Sequence, residues 1–432
     1  MKIIYLIGAI LFLLSSISCR QPDKKMADPG FADSLLANFR QPALINSNEK
    51  DIIFWKNRIN PEKHGLVNES RYAGQLAARF RLSGDIHDLK SADSVLLVVD
   101  SVFSHKEASV YLSMVGHCIS QHRFQQAASF LAKARELGIK PYDDCISGFD
   151  VDFELGNYPA AEMNLKKIRS PNDYGYFFRK AKWEHYKGNL DSAIKAMQEA
   201  LNCAGSDTGL RQAALSNKAD LCLHAMKVRE ASDLYTQSLR LNPADLHSLM
   251  GLGWIALIHD KQDGLAEKIF RFGQSLTKLP DPWFKMEELA EERKDSSLEK
   301  KYAETFAVLA SDSLYGNMYN KYLIDLYSGT LDNPSKAEML SEREVAGRPT
   351  PQTYAWLVWS LFCNKKDQEA LAIYSKKVSG KPLEGIELYW MGKFMKGIGK
   401  GYNAIEFFKA AEKNKYDLSP SKIRDLEKNL EE

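Results

Sequence analysis

The stretch GNLDSAIKAMQEAL, residues 188–201, joins a turn to the start of a helix. Gly188 and the asparagine after it suit a turn, because both residue types tolerate positive φ. Beyond the turn, Ala193 is followed by a large apolar residue four positions later and by Ala200 seven positions later, which puts all three on one helix face. Small residues on such a face let a neighbouring helix approach to about 8–10 Å. The stretch therefore predicts the second helix of an antiparallel hairpin, crossing the first helix where Ala193 meets Ala181.

The same spacing of small and apolar residues recurs along most of the chain with a period near 34 residues. Pro243 and Pro349 each follow an anchor alanine by twelve positions, where a proline would end the second helix. A period of this length is typical of stacked helical hairpins, in which neighbouring units bury a continuous core. The ten anchor alanines are Ala92, Ala127, Ala161, Ala193, Ala231, Ala266, Ala303, Ala337, Ala370 and Ala404.

These repeats resemble the tetratricopeptide repeat family over nearly the whole chain after its N-terminus. The resemblance implies an all-α fold, a right-handed α-solenoid of antiparallel helix hairpins, over residues 46–418. Residues 419–432 are expected to form a C-terminal capping helix. Ser419 suits the N-cap of that helix, Pro420 suits its first position, and the apolar residues that follow lie on one face only.

The N-terminus has the features of an exported lipoprotein. Residues 1–18 contain one lysine and an apolar run of twelve residues, which is too short to span a bilayer but suits a signal peptide. Small residues precede Cys19 and resemble the lipobox of bacterial lipoproteins, although Ser16 stands where that motif has leucine. We expect lipidation at Cys19, a polar tether over residues 19–45, and anchoring in the bacterial cell envelope, with the outer membrane preferred. The alternative is an ordinary signal peptide that is cleaved elsewhere.

Composition and motifs favour a binding protein over an enzyme. Lys and Arg total 58 and Asp and Glu total 56, so the formal charge of +2 predicts no nucleic-acid partner. The sequence contains no HExxH, no GxSxG and no Cys/His cluster, and we therefore expect no catalytic residue, no metal and no cofactor. The five cysteines after Cys19 are widely spaced, which favours small buried residues over a disulfide framework.

The resemblance also implies where a partner would bind. In this family the first helix of each hairpin lines the concave face, at positions 18, 15, 11 and 8 before the anchor. The middle units of this sequence place small or apolar residues there, together with Asp220, whereas other units place aromatic residues near lysine. Such a surface suits a protein or peptide that carries apolar and acidic groups. The candidate partner-binding residues are Phe178, Lys182, His185, Trp359, Phe362, Tyr389 and Lys393.

Two other interpretations of these residues stay open at this point. The aromatic side chains could pack on the next helix, or on the capping helix, instead of binding a partner. Alternatively, Trp359, Phe362 and Tyr389 could form a stacking platform for a glycan or small molecule in an envelope lipoprotein. The preferred prediction is a non-enzymatic, membrane-tethered scaffold for protein–protein interaction, and it rests on the family resemblance.

Overall fold

The computed structural model describes residues 25–431, and this part of the chain is built from α-helices without any β-strand. The predicted signal peptide and Cys19 lie outside the described residues. A π-helical turn, Tyr374–Val378, continues the twentieth helix. The helices are α1 (Pro29–Ala37), α2 (Ala43–Lys56), α3 (Leu66–Ser83), α4 (Ile86–Val102), α5 (Ala108–Ser120), α6 (Phe124–Leu137), α7 (Pro141–Glu154), α8 (Tyr158–Lys167), α9 (Tyr174–Tyr186), α10 (Leu190–Cys203), α11 (Thr208–His224), α12 (Val228–Leu241), α13 (Leu246–Ile258), α14 (Asp263–Leu276), α15 (Asp281–Glu292), α16 (Ser296–Ala310), α17 (Asn320–Ser328), α18 (Pro334–Gly347), α19 (Pro351–Cys363), α20 (Asp367–Ile373), α21 (Gly385–Gly397), α22 (Gly401–Glu412) and α23 (Pro420–Glu431).

Ten hairpins, from α3–α4 to α21–α22, follow one another along the chain, and each packs against the next. Every anchor alanine lies on the second helix of a hairpin, and none exposes more than 2% of its surface. Ala181 on α9 is fully buried as well, as the crossing with α10 requires. Small side chains therefore occupy the places where paired helices touch, and the predicted all-α solenoid of tetratricopeptide-like hairpins is confirmed.

Glycines replace alanine where an aromatic ring fills the crossing between two helices. A β-carbon added to Gly392 on α21 would lie 2.5 Å from the ring of Phe408 on α22. A β-carbon added to Gly253 on α13 would lie 2.4 Å from the ring of Phe270 on α14. Both rings are fully buried, so the missing side chains are what lets each ring pack against the helix backbone.

The solenoid coils tightly enough for successive turns of its superhelix to touch. Gln121 Nε2 donates to the backbone oxygen of Leu314 at 2.5 Å, across 193 residues of chain. Arg348 Nη1 donates to Glu154 Oε2 at 2.9 Å, across 194 residues. One superhelical turn therefore takes nearly six hairpins, and its walls are held together by contacts between turns as well as between neighbouring hairpins.

The N-terminal segment differs from the polar tether predicted over residues 19–45. From residue 25 onward it lies on the solenoid, because the backbone N–H groups of Met26 and Ala27 donate to the carboxylate of Asp260 at 2.9 and 2.7 Å. Ser232 Oγ donates in turn to the backbone oxygen of Met26 at 2.7 Å. α1 then packs on α14, and α2 packs on α3. The buried carboxylate of Asp260 therefore holds the chain around Met26 and Ala27 against the solenoid by accepting their backbone hydrogen bonds.

The C-terminal helix α23 contacts α15 as well as α22, so it covers the last hairpin and reaches the preceding superhelical turn. Its first turn binds two acidic side chains. The backbone N–H of Ser421 donates to Glu291 Oε2 at 3.1 Å, and Lys422 Nζ donates to Asp325 Oδ2 at 3.0 Å. These contacts place α23 beside the inner wall of the solenoid.

Candidate functional site

The coiled hairpins surround a central cavity of about 1030 Å³. Its wall comes mainly from the first helices of the hairpins between α11 and α21, with the segment before α23 closing one side. Neighbouring first helices contribute side chains from equivalent positions of the repeat, such as Glu288 from α15 and Tyr322 from α17, and Lys285 of α15 lines the cavity beside them. The cavity is therefore a product of the repeat geometry itself, and concave spaces of this kind are where ligands usually bind.

The wall of this cavity is acidic and aromatic. Eight carboxylate side chains line it, against three Lys or Arg side chains and two histidines. The carboxylates outnumber the basic groups even when both histidines are protonated, so the local field favours a cationic ligand. The acidic residues are Asp207, Asp220, Asp245, Asp281, Glu288, Asp325, Glu384 and Asp417, and the aromatic residues are Tyr235, Trp254, Phe284, Phe306, Tyr319, Tyr322 and Tyr416.

Both histidines in the wall are paired with aspartate. His247 Nε2 lies 2.6 Å from Asp220 Oδ2, and the charge of Asp220 raises the pKa of His247 to about 9. His224 Nδ1 lies 3.0 Å from Asp417 Oδ1. Burial lowers the pKa of His224, but Asp417 and the other nearby carboxylates outweigh burial and raise it to about 9. Both imidazoles are therefore cationic at neutral pH, and each is held by a carboxylate of the wall.

The wall holds its lysines by the same chemistry. Lys321 Nζ lies 3.3 Å from Glu384 Oε2 and 3.2 Å from Glu387 Oε1, and its charge holds the pKa of Glu384 at about 2. Lys285 Nζ lies 3.8 Å from the centroid of the Trp254 ring. Carboxylates and aromatic faces thus bind cations of the protein itself, and they are the groups that could bind a foreign one.

Other chemistries find little support in residues 25–431. No three His, Cys, Asp or Glu side chains there are grouped closely enough to hold a metal ion. Within the same range no helix is long and apolar enough to cross a membrane. The five cysteines are all unpaired, and burial raises the pKa of Cys222 to about 12, so its thiol is protonated at neutral pH. The cavity offers charge and shape for binding.

Two of the predicted site residues, Phe178 and Lys182, lie on α9 and do not line the cavity. Lys182 Nζ lies 2.5 Å from Glu154 Oε1, and Arg348 binds the other oxygen of the same carboxylate from the next superhelical turn. Lys182 therefore serves the contact between turns. Phe178 is half-buried against the main core.

His185 and Phe362, which were also predicted to bind a partner, are engaged with neighbouring side chains. The ring of His185 lies 4.9 Å from that of His224, and burial followed by the charge of His224 lowers the pKa of His185. The ring of Phe362 fills the space above Gly397, where an added β-carbon would lie 2.3 Å away. Packing on the next helix, the alternative left open by the sequence, describes Phe362.

The remaining predicted residues lie near the C-terminal helix. Tyr389 Oη donates to Asp425 Oδ2 at 2.7 Å, and Lys393 Nζ donates to the same oxygen at 2.9 Å. Trp359 stacks parallel to Trp390, with ring centroids 5.8 Å apart. Trp359 and Tyr389 line one space beside the start of α23. Phe362 lies next to Trp359, with ring centroids 5.9 Å apart, but its ring is packed over Gly397.

Sequence reasoning missed most of the cavity wall because it gave the middle hairpins little weight. The positions 18 and 15 before an anchor give Lys285 and Glu288 in the α15–α16 hairpin, and Tyr319 and Tyr322 in the α17–α18 hairpin. All four line the cavity, as does Asp220, which the same count had given in the α11–α12 hairpin. Of the eight carboxylates in the wall, however, only Asp220 and Glu288 occupy these counted positions, so the repeat pattern alone did not reveal the acidic character of the cavity.

Comparisons with protein families, curated proteins and solved structures found similarity only among the solved structures. No protein-family model matches the sequence, and no curated protein matches it. Similar solved structures include a tetratricopeptide repeat protein from Parabacteroides merdae, 16% identical over 60% of this chain and 99% of that chain, with a TM-score of 0.35. A STAND protein with a tetratricopeptide repeat sensor from Pyrococcus horikoshii is 18% identical over 86% of this chain and 54% of that chain, with a TM-score of 0.40. Human IFIT1 with PPP-AAAA is 14% identical over 89% of this chain and 93% of that chain, with a TM-score of 0.45.

The prediction that nucleic acid is not a partner is wrong. It rested on the small net charge, yet human IFIT1, a structurally similar chain, is solved with PPP-AAAA and with m7Gppp-AAAA. A charge sum over a whole solenoid hides how the charges are distributed. Here the sum is +2, whereas the cavity wall carries eight carboxylates against three Lys or Arg side chains. The class of ligand therefore has to be argued from the local surface.

Proposed function

We propose that this chain is a non-enzymatic scaffold for a protein or peptide partner. Its central cavity binds the basic side chains of that partner. Stacked hairpins suit this role, because successive first helices build one extended inner surface. The acidic wall reverses the partner chemistry expected from the sequence, which was apolar and acidic. An extended segment with lysine or arginine is the partner that this wall favours.

The observation that carries the proposal is the combination of eight carboxylates and seven aromatic rings around one space of about 1030 Å³. Charges in a partly enclosed space are screened less by salt than charges on an open surface. Tyrosine and tryptophan faces add cation–π attraction for ammonium and guanidinium groups. Lys285 above Trp254 shows that the wall tolerates such a contact at 3.8 Å.

We further propose that Cys19 carries a lipid that anchors the scaffold in the bacterial cell envelope, with the outer membrane preferred. The support is the apolar run and the small residues before Cys19. Because Met26 and Ala27 are bound to Asp260, few residues separate the lipid from the folded body. At a reach of about 3.3–3.6 Å per residue, the steps from Cys19 to Met26 would keep the start of the folded body within about 25 Å of the membrane surface.

A cavity-blocking substitution tests the proposed binding mode. Ala213 lines the cavity and is only half-buried, so Ala213→Arg adds a bulky positive charge to the wall without entering the core. Fluorescence anisotropy with a labelled lysine- and arginine-rich peptide should show binding to the wild type that weakens as salt is added. The Ala213→Arg variant should weaken this binding by about tenfold or more, since it removes space and opposes the cation.

The matched control is Gln237→Arg, which adds the same charge to an exposed position on α12. This control should bind the peptide as the wild type does. An acidic, apolar peptide and a single-stranded RNA of mixed sequence are measured beside the basic peptide. Preference of the wild type for either of them, or equal effects of the two arginine substitutions, would refute binding of a basic partner in the cavity.

A further inference from the structure

A smaller recess of about 290 Å³ opens beside the central cavity, between α15, α16, α17, α19, α21 and the start of α23. We call it the glutamate recess. Phe284, Glu288, Asp325 and Ser419 belong to both spaces, so the two adjoin. Five carboxylates line the recess, and Lys422 is the basic residue among its lining residues. The five are Glu287, Glu288, Glu291, Glu299 and Asp325.

Three of these carboxylates have partners that suit their ionised form. Asp325 accepts from Lys422 at 3.0 Å, and Glu288 accepts from Lys285 at 2.7 Å. Glu291 accepts from two serine hydroxyls and from a backbone N–H at the start of α23. These three groups therefore have polar partners without any ligand, although burial raises the pKa of Glu288.

The other two carboxylates, Glu287 and Glu299, compete for one hydroxyl. Thr330 Oγ1 lies 3.1 Å from Glu287 Oε1 and 3.1 Å from Glu299 Oε1. A hydroxyl has one proton to donate, so it can satisfy only one of two ionised carboxylates. The second contact becomes a hydrogen bond only when that carboxyl carries a proton, and neither residue has an ion pair among the described side chains. Glu287 is also only 4% exposed, which leaves it little water.

Two tryptophans in the recess lack partners as well. Trp359 and Trp390 both line it, and the Nε1–H of each is buried without a hydrogen-bond acceptor in the described structure. Trp390 is fully buried, so its N–H is an unpaired polar group of the kind that folded proteins rarely leave unsatisfied. The recess thus has donors that need an acceptor beside carboxylates that need a cation.

We propose that the glutamate recess binds a guanidinium group, with Glu287 and Glu299 accepting its N–H groups and the indole N–H groups of Trp359 and Trp390 donating to an acceptor oxygen of the same ligand. A guanidinium is planar, donates several hydrogen bonds and stacks on aromatic rings, which matches these lining groups. An arginine residue supplies the oxygen as well, in its backbone carbonyl. The recess would then hold an arginine side chain of the partner, which rests on the proposed function, or a small guanidino compound.

A single metal ion fits the recess poorly. Its carboxylates are not gathered closely enough for one ion, within the part of the chain that the structure describes. A water molecule takes about 30 Å³ in the liquid, so a space of about 290 Å³ has room for a side chain of several non-hydrogen atoms. Size, carboxylate spacing and unpaired donors all favour an extended organic cation.

Binding of a cation should release a proton from the recess. Burial, followed by the charges of Glu291 and Glu288, raises the pKa of Glu287, with Asp325 acting in the same direction and Lys422 in the opposite one. Burial raises the pKa of Glu299 too, although its hydrogen bond to Thr330 opposes this. A bound cation favours the ionised carboxylates, so affinity should rise as pH rises from 5 to neutral.

The test uses isothermal titration calorimetry with Nα-acetyl-arginine N-methylamide, which has the guanidinium and two carbonyl acceptors. The citrulline analogue, a neutral isostere, should bind at least about tenfold more weakly, because hydrogen bonds to charged groups are the strong ones. Titrations in two buffers of different ionisation enthalpy measure the released proton. n-Butylguanidine, a guanidinium with neither a carbonyl nor a second charge, should bind more weakly than blocked arginine if the ligand is an arginine residue, and at least as well if it is a small guanidino compound.

The variants are Glu287→Gln and Glu299→Gln, with Glu304→Gln as the matched control on the exposed face of α16. Each recess variant should weaken the binding of blocked arginine by about tenfold or more and should flatten the pH dependence of its affinity, whereas the control should behave as the wild type. Equal binding of arginine and citrulline, or an effect of Glu304→Gln equal to that of the recess variants, would overturn the proposal. If blocked arginine binds both the wild type and the Ala213→Arg variant but the basic peptide binds neither, the guanidinium site in the glutamate recess stands and the proposed scaffold function is refuted.

Discussion

Replacing Gly392 with alanine tests the close crossing of helices on which the fold depends. The added β-carbon would lie 2.5 and 2.6 Å from two ring atoms of Phe408, whereas ordinary contacts are 3.4–4 Å. The ring is only 1% exposed, so it cannot move away from the new methyl group into solvent without leaving the core. Overpacking of this kind costs about 1–3 kcal/mol. Alanine regains about 0.8–1.0 kcal/mol of helix propensity, so the net change should be a destabilisation of up to about 2 kcal/mol.

The matched control is Gly116→Ala on α5. That glycine is exposed and has no atom within 4 Å of the added β-carbon, so only the propensity term acts and the variant should be stabilised by up to about 1 kcal/mol. Urea denaturation followed by circular dichroism at 222 nm measures both variants. The difference between them isolates the packing cost, about 1–3 kcal/mol.

A double-mutant cycle completes this test. Phe408→Leu removes the ring atoms that the new methyl group meets, so the loss caused by Gly392→Ala should be smaller in that background than in the wild type. If Gly392→Ala stabilises the protein as much as Gly116→Ala does, or if its effect is the same with leucine at position 408, the helices do not cross as described.

Three further predictions concern charge and anchoring. Asp220 raises the pKa of His247 to about 9 in the folded protein, so the stability that this pair contributes is complete below about pH 6.5, the pKa of an unfolded histidine, and is lost as the pH rises to about 9. His247→Gln should therefore reduce the loss of stability between about pH 6.5 and 9, which urea midpoints measured against pH would show. Glu287→Gln should raise the urea midpoint more at pH 7.5 than at pH 5, because burial raises the pKa of Glu287 and its ionisation opposes folding. Cys19→Ser should move the protein from the detergent phase to the aqueous phase in detergent partitioning, and retention would place the anchor elsewhere.

The hairpins could be predicted because the pattern that specifies them is local. Ala181 and Ala193 are both fully buried on the two packed helices of one hairpin, so a single period of sequence contains both sides of the crossing. Gly253 shows the limit of this reasoning: its partner Phe270 lies in the same hairpin, but the glycine is thirteen positions before its anchor Ala266, whereas Ala181 is twelve positions before Ala193, and a large ring fills the crossing. Residue types at a helix crossing are thus predictable where both helices use small side chains.

The binding surface could not be predicted in the same way, because contacts between superhelical turns decide which inner side chains stay available. Lys182 is taken by Glu154, whose other partner Arg348 comes from the next turn, 194 residues away. Lys393 is taken by Asp425 of α23, a helix that was predicted without its docking place. A period of about 34 residues carries no information about either contact.

Photo-cross-linking from a position inside the cavity and from a position outside it tests most directly whether the partner binds in the acidic inner cavity. p-Benzoylphenylalanine replaces Tyr322, which is 41% exposed and lines the cavity, or Val308, which is 75% exposed on α16 and does not line it. Irradiation in the presence of the lysine- and arginine-rich peptide should join the peptide to position 322 and not to position 308. Cross-linking at position 308 alone, or equally at both positions, would contradict an acidic inner cavity as the place where the partner binds.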